Sequence, residues 1–273
     1  MKFPSKLAGM LLSGLFAVSA FADQHQSEIR DPEAATGVNQ KAVVTANQFM
    51  VSAANPHAVD AGYRVLKEGG SAIDATIAVQ MVLTLVEPQS SGIGGGAFLL
   101  HWNQQDKRLT SWDGREKAPM AADGELFFGP DGKPMSWWEA LAGGRSVGAP
   151  GVLAALAKAH QQHGKLPWSS LFKEAIELSE QGFEVSERLH QLIVKKTNPA
   201  LGRYDAAWNY FYPGGQPLQP GQLRKNPELA DSFRRIATLG PKAFYKGDIA
   251  RDIVATVHNA KDNPGLLTAA DLL

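Results

Sequence analysis

Between the apolar run 73–86 and the strand-like segment 97–102, four of the five residues from Gly92 to Gly96 are glycine. Glycine permits positive backbone angles and lets successive amide N–H groups point into one concavity, so the segment reads either as an anion-holding nest or as a purely structural tight loop. Gly92, Gly94 and Ala97 also fit a loose G-x-G-x-x-A pattern. A dinucleotide fingerprint must follow a strand and open a helix. Here the order is helix, glycines, strand, which argues against nucleotide binding.

The elements on either side follow from local chemistry. Residues 42–46 and 50–53 are short apolar pieces that suit strands, and Asn55-Pro56 supplies a cap and a first-turn proline for a helix over 57–67. Val59, Gly62 and Leu66 share one face of that helix, Ala58, Ala61 and Val65 lie beside it, and Gly69-Gly70 ends it. Ser71 and Asp74 are spaced as a capping box for the next helix, whose residues 73–86 are apolar nearly all round, as a helix inside a large protein should be. Glu87-Pro88 closes it. Residues 97–102 and 109–112 read as two strands of a hairpin joined by the polar turn 103–107. Further helices are expected over 152–163, 168–181 (apolar face Leu171, Ala175, Leu178), 227–239 and 249–260, with a loop rich in Gly, Pro and aromatics over 209–222. Thr268 reads as the cap of a helix that begins as the sequence given ends, the pattern expected of the front part of a longer chain.

Composition narrows the function classes. Lys plus Arg and Asp plus Glu both total 27, so there is no net field to recruit nucleic acid or anionic lipid. Residues 1–22 carry Lys2 and Lys6, an apolar run over 7–20, and Ala20-Phe21-Ala22 before Asp23. That order is a secretory signal peptide with cleavage after Ala22. The run is shorter than the roughly 20 residues of a membrane span. The reading divides the chain into a signal peptide (1–22), a flexible extension (23–37) and one folded part (38–273), exported to the periplasm or beyond and not inserted in a membrane once cleaved. With no cysteine, disulfides, thiolate nucleophiles and zinc–thiolate sites are excluded.

Few side chains stand out as chemical. Arg115, in Asp113-Gly114-Arg115-Glu116-Lys117-Ala118-Pro119, follows a strand on a turn, where its guanidinium could clamp a carboxylate in bidentate fashion. On residues alone a local ion pair with Glu116 or Asp113 is the better reading. His160 and His163 share a helix without a third ligand at metal spacing, so they read as solvated. Trp137-Trp138 and the group Trp208, Tyr210, Phe211, Tyr212 read as packing aromatics rather than a binding wall. There is no G-x-S-x-G elbow and no Ser/His/acid order that singles out a triad.

The ordered blocks Ala54-Asn55-Pro56, Gly69-Gly70-Ser71-Ala72-Ile73-Asp74-Ala75, Glu87-Pro88, Ser91-Gly92-Ile93-Gly94-Gly95-Gly96, Asp113-Gly114-Arg115-Glu116 and Val147-Gly148-Ala149-Pro150-Gly151 resemble those of the γ-glutamyltransferases. Gly182-Phe183-Glu184-Val185-Ser186, Ala243-Phe244-Tyr245-Lys246-Gly247 and Leu267-Thr268-Ala269-Ala270-Asp271-Leu272 continue the match. The resemblance implies an α/β (α+β) chain, the N-terminal part of the large subunit of an N-terminal-nucleophile hydrolase with an αββα sandwich. It implies a precursor that cuts itself into two subunits, the small one led by a nucleophilic threonine beyond Leu273. The implied activity is hydrolysis of glutathione and transfer of γ-glutamyl groups to water, amino acids or peptides. It needs no cofactor, and its partners are the γ-glutamyl substrate and the small subunit. A non-catalytic binder of glutamate-like anions and a β-lactam side-chain acylase are the alternatives. By resemblance Arg115 binds the substrate α-carboxylate, none of the residues present is the nucleophile, and residues 1–273 alone should be inactive.

Overall fold

The computed structural model describes residues 42–196 and 198–273. The signal peptide, the 23–37 extension and the expected start of the fold near Val38 lie outside the described residues. The described part is α+β and mostly helical. In order it runs α1 (Pro56–Lys67), α2 (Ala72–Val86), β1 (Ala97–Asn103), β2 (Arg108–Gly114), α3 (Trp137–Leu141), α4 (Val152–His163), α5 (Lys173–Gln181), β3 (Phe183–Glu184) and α6 (Glu187–Val194), then α7 (Asp205–Phe211), β4 (Leu223–Arg224), α8 (Pro227–Leu239), α9 (Lys242–Tyr245) and α10 (Asp248–His258).

Helix α2 is the centre of the core. Ile73, Ile77, Ala78, Met81, Val82, Leu85 and Val86 are all buried, because α1, α4, α5 and the turn before α5 surround it. Its start is fixed by a carboxylate. Asp74 is fully buried, and one of its oxygens accepts backbone N–H bonds from Ser71 (2.8 Å), Lys165 (2.9 Å) and Leu166 (3.1 Å). The Ser71 hydroxyl accepts from the Asp74 N–H in return (3.1 Å), completing the expected capping box. Asp74 thereby ties the end of α4 and the turn beyond it to the first turn of α2. The end of α2 is fixed in the same way. The buried Glu87 carboxylate accepts from the Asn55 side chain (3.1 Å), from Gln89 (2.6 Å) and from Arg188 of α6. Asn55 is also the N-cap of α1, accepting from the His57 N–H, so one buried network sets the ends of three helices.

β1 and β2 form an antiparallel hairpin in register from Ala97 opposite Gly114 to Asn103 opposite Arg108. One face packs on α4, with Trp112 buried. The other presents Phe98, Leu100, Trp102 and Leu109 to solvent. β3 and β4 make a second, two-residue ladder. No described helix is long and apolar enough to cross a membrane.

Several expectations are corrected. Residues 42–46 and 50–53 form no strand; Val43 and Val44 are exposed, and an apolar run becomes a strand only where a ladder partner exists. The loop expected over 209–222 begins later, because α7 carries the helix to Phe211: Trp208 stacks on Tyr212 (ring centroids 4.2 Å apart) and Tyr212 donates to the Ile193 carbonyl (2.7 Å). The turn signal of Pro213 and Gly214 acts only after the helix, in a 3₁₀ turn Pro213–Gly215 where Gly214 has φ 66°. Residues 168–181 split into a 3₁₀ turn, Trp168–Phe172, and α5, and they bury Leu171, Phe172 and Ala175, while Leu178 is only partly buried. α10 stops at His258. Thr268 and Asp271 exchange cap-like bonds, but residues 269–272 make a turn rather than a helix.

Asp74→Ala strands three buried N–H groups, so it should lower the unfolding free energy in urea by roughly 3 kcal/mol. The exposed Asp60→Ala on α1 should stay within about 0.5 kcal/mol of wild type.

Candidate functional site

The glycine blocks that are far apart in sequence meet at one junction between the hairpin and the start of α4. The Gly95 carbonyl accepts from the N–H groups of Gly151 (3.1 Å) and Val152 (3.2 Å). Lys117 and Ala149 exchange a pair of backbone bonds, Ala149 N to Lys117 O at 2.8 Å and the reverse at 3.2 Å. Three peptide segments lie so close that side chains are excluded. A Cβ on Gly96 would sit 2.8 Å from the Gly114 carbonyl oxygen, one on Gly114 2.7 Å from the Ala155 methyl, and one on Gly151 2.8 Å from the Arg115 carbonyl oxygen. Real Cβ atoms do not approach backbone this closely.

This changes the physical account of the glycines. None of Gly92 to Gly96 has a positive φ, so the segment is not a nest built on left-handed glycines. The glycines at 96, 114 and 151 are required by close approach, whereas a Cβ on Gly94 would meet nothing within 4 Å.

The junction presents Arg115. Its backbone N–H donates to the Asp113 carboxylate (2.9 Å), which fixes the turn, and its guanidinium pairs with Glu116. The Arg115 side chain is 64% exposed and the Glu116 side chain 28%. The local ion pair expected from residues alone is therefore present. The Glu116 carboxylate in turn lies against the bare backbone of Gly95 and Gly96. Arg115 stands between two open cavities. One, of about 440 Å³, runs past Gly94, Pro119, Phe127 and Arg145; the other, of about 640 Å³, follows β2, α4 and α9.

Tyr245 and Asp271 brace the same region. The Tyr245 hydroxyl donates to the Pro150 carbonyl (3.0 Å) and accepts from the Ala154 N–H (3.1 Å). Burial raises its pKa, opposed by the Ala154 bond. Asp271 accepts from the Met120 N–H (2.7 Å) and from the Thr268 N–H and hydroxyl (both 2.7 Å), and the Thr268 side-chain bond is the main reason its pKa is lowered. Neither role is legible in sequence, since both depend on contacts between distant segments.

The two α4 histidines are not solvated. His160 donates from Nε2 to the Leu166 carbonyl (3.0 Å), lies 3.5 Å from Asp74 and meets the Trp168 ring edge-on. His163 packs on His101 of β1, ring centroids 4.3 Å apart, and on Trp112 at 5.7 Å. Among the described residues no group of three His, Cys, Asp or Glu is placed to hold a metal. The aromatics 208–212 pack as expected, with Arg224 over the Tyr210 ring at 4.1 Å. Trp137, on the short α3, remains partly exposed.

Two outcomes follow from this geometry. Gly151→Ala should destabilise by about 3 kcal/mol or prevent folding, while Gly94→Ala should change stability by less than about 1 kcal/mol; denaturant unfolding of both separates close approach from conformational freedom as the cause. His101 is held below the ordinary imidazole value of about 6.5 by burial and secondarily by His163. A lowered folded pKa favours the neutral ring, so this stabilisation is full above the unfolded value and is lost as pH falls through it towards the folded value. Between about pH 7.5 and pH 5 the melting temperature should fall more in wild type than in His101→Gln; equal falls would show that the pair is not responsible.

The gamma-glutamyltranspeptidase family profile matches residues 58–273. The glutathione hydrolase proenzyme of Bacillus subtilis is 37% identical over 232 residues, which is 85% of this chain and 39% of that one. Among solved structures, the gamma-glutamyltranspeptidase of Pseudomonas nitroreducens complexed with L-DON superposes with a TM-score of 0.75 at 33% identity, over 84% of this chain and 65% of that one. The cephalosporin acylase of Bacillus halodurans gives a TM-score of 0.73 at 30% identity, over 89% of this chain and 45% of that one. The chain spans about two fifths of the length of the curated relatives it matches.

Proposed function

We propose that this chain, which belongs to the gamma-glutamyltranspeptidase family, is the substrate-anchoring part of an exported glutathione hydrolase. The observation that carries the reading is Arg115: a two-thirds exposed guanidinium on a turn fixed by three close-packed peptide segments, facing open cavities on both sides. A planar guanidinium carried on a fixed backbone turn, with donors left over from its Glu116 pair, suits the α-carboxylate of a γ-glutamyl group. Glu116 pairs with the guanidinium, and the α-amino group of the same glutamyl unit would find its counter-charge there.

The chemistry itself is assigned to a small subunit of the same precursor. Its leading threonine hydroxyl attacks the γ-amide carbon, and the free α-amine of that threonine takes the hydroxyl proton. The tetrahedral oxyanion collapses as the C–N bond breaks and the proton passes to the departing amine, leaving an ester on the threonine. Water or an amino acid then attacks the ester and restores the hydroxyl. The role of Arg115 is positioning through binding, which lowers the barrier by holding the γ-carbonyl at the nucleophile. The composition of residues 1–22 supports export to the periplasm.

The likeness to a cephalosporin acylase supports a second reading, in which the acyl group comes from a β-lactam side chain. Glutathione and a glutaryl-cephalosporin offered in competition to the two-subunit assembly discriminate the two. In that assembly, Arg115→Lys should reduce kcat/KM for glutathione by about 10²-fold, since a point charge cannot reproduce a bidentate clamp. A change of less than about twofold would remove Arg115 from the site.

A further inference from the structure

The peptide between Pro150 and Gly151 lies directly against the Arg115 turn, and both of its polar groups are tied. Its N–H, on Gly151, donates to the Gly95 carbonyl (3.1 Å). Its carbonyl, on Pro150, accepts from the Tyr245 hydroxyl (3.0 Å), the one hydrogen bond it makes among the described residues. A Cβ on Gly151 would sit 2.8 Å from the Arg115 carbonyl oxygen, and one on Gly148 2.6 Å from that of Lys117, so the whole 148–151 stretch is packed on the backbone of the turn.

The Tyr245 hydroxyl has an unusual place in this clamp. It also accepts from the Ala154 N–H (3.1 Å). Pro150 and Ala154 stand four apart, the spacing of a helical hydrogen bond, so the hydroxyl occupies the gap where α4 would otherwise close its first turn directly. Gly151 has φ −116°, well off the helical value of about −63°, so the peptide is held rotated out of the helical direction. Donating and accepting at once requires the protonated phenol, and burial, which raises the Tyr245 pKa, keeps it in that form. Every group in the clamp belongs to the described residues, so it does not depend on what covers the open side of the turn.

We infer that Tyr245 is a positioning residue for the substrate carboxylate: its hydroxyl, set between Pro150 and Ala154, holds the Pro150–Gly151 peptide against Gly114 and Arg115 and thereby fixes where the Arg115 guanidinium meets the α-carboxylate. The inference rests on the reading of Arg115 as that anchor. Without the hydroxyl, the Pro150 carbonyl and the Ala154 N–H pair directly, the peptide turns towards the helical direction, and Gly151 loses its fit against the Arg115 backbone. Tyr245 acts through the backbone, not on the substrate.

The test measures kcat and KM for glutathione in the two-subunit assembly of wild type, Tyr245→Phe, Arg115→Lys and the double variant. Tyr245→Phe should raise KM about fivefold and leave kcat within about twofold, because what is lost is binding geometry. In the Arg115→Lys background the same change should alter kcat/KM by less than about twofold, since a point charge has already lost the geometry that Tyr245 maintains. The control Tyr212→Phe removes a buried hydroxyl bond, to the Ile193 carbonyl, from the packing of α6 on α7, and should leave both constants within about twofold. An Arg115→Lys variant as active as wild type removes the anchor and this inference with it. Where Arg115→Lys is impaired, four results overturn the inference alone: an unchanged KM in Tyr245→Phe, an equally large effect of Tyr245→Phe in the Arg115→Lys background, an equal rise of KM in Tyr212→Phe, or a Tyr245→Phe precursor that yields no two-subunit enzyme.

Discussion

The structure depends on the contact of three bare peptide segments, at Gly95–Gly96, Gly114 and Gly151. The Gly95 carbonyl accepts both N–H groups that open α4, so the helix start is capped by another segment's backbone rather than by a side chain. Gly114 touching Ala155 lets β2 lie flat against α4. A Cβ at Gly96, Gly114 or Gly151 would separate the hairpin from the helix. Arg115 follows Gly114 directly and so inherits its position from that closeness.

The same junction explains why motifs separated by more than a hundred residues occur together. The glycine run, the Asp113–Glu116 turn, the Gly148–Gly151 turn, Tyr245 and Asp271 are parts of one constructed corner, linked by the bonds from Gly151 to Gly95, from Tyr245 to Pro150 and from Met120 to Asp271. Buried carboxylates hold the frame behind it. Asp74 and Glu87 fix the two ends of α2: Glu87 accepts from several side chains, while Asp74 concentrates three N–H donors on one oxygen and faces His160 at 3.5 Å with the other.

What the sequence disclosed divides along physical lines. Features set by neighbours in the chain were legible: the Asn55 and Ser71 caps, the all-round apolar α2, the hairpin and the Arg115–Glu116 pair. Features set by distant packing were not. The helical content of 209–211, the His101–His163 ring contact and the steric reason for the glycines each depend on contacts outside the local sequence window. Residues 42–53 failed in the opposite sense, because a local strand preference had no ladder to join. Arg115 shows both limits: its local pairing was legible, while its candidate role came only from the order of the blocks around it.

The proposed role of the glycine corner is to hold Arg115 as the anchor for the α-carboxylate of a γ-glutamyl group. A crystal structure of the two-subunit assembly soaked with L-glutamate tests it most directly. If Arg115 is that anchor, the α-carboxylate lies on its guanidinium at about 2.8 Å in a two-bond geometry, with the γ-carboxyl pointing away from it. Glutamate bound elsewhere, with Arg115 still paired only to Glu116, would contradict it.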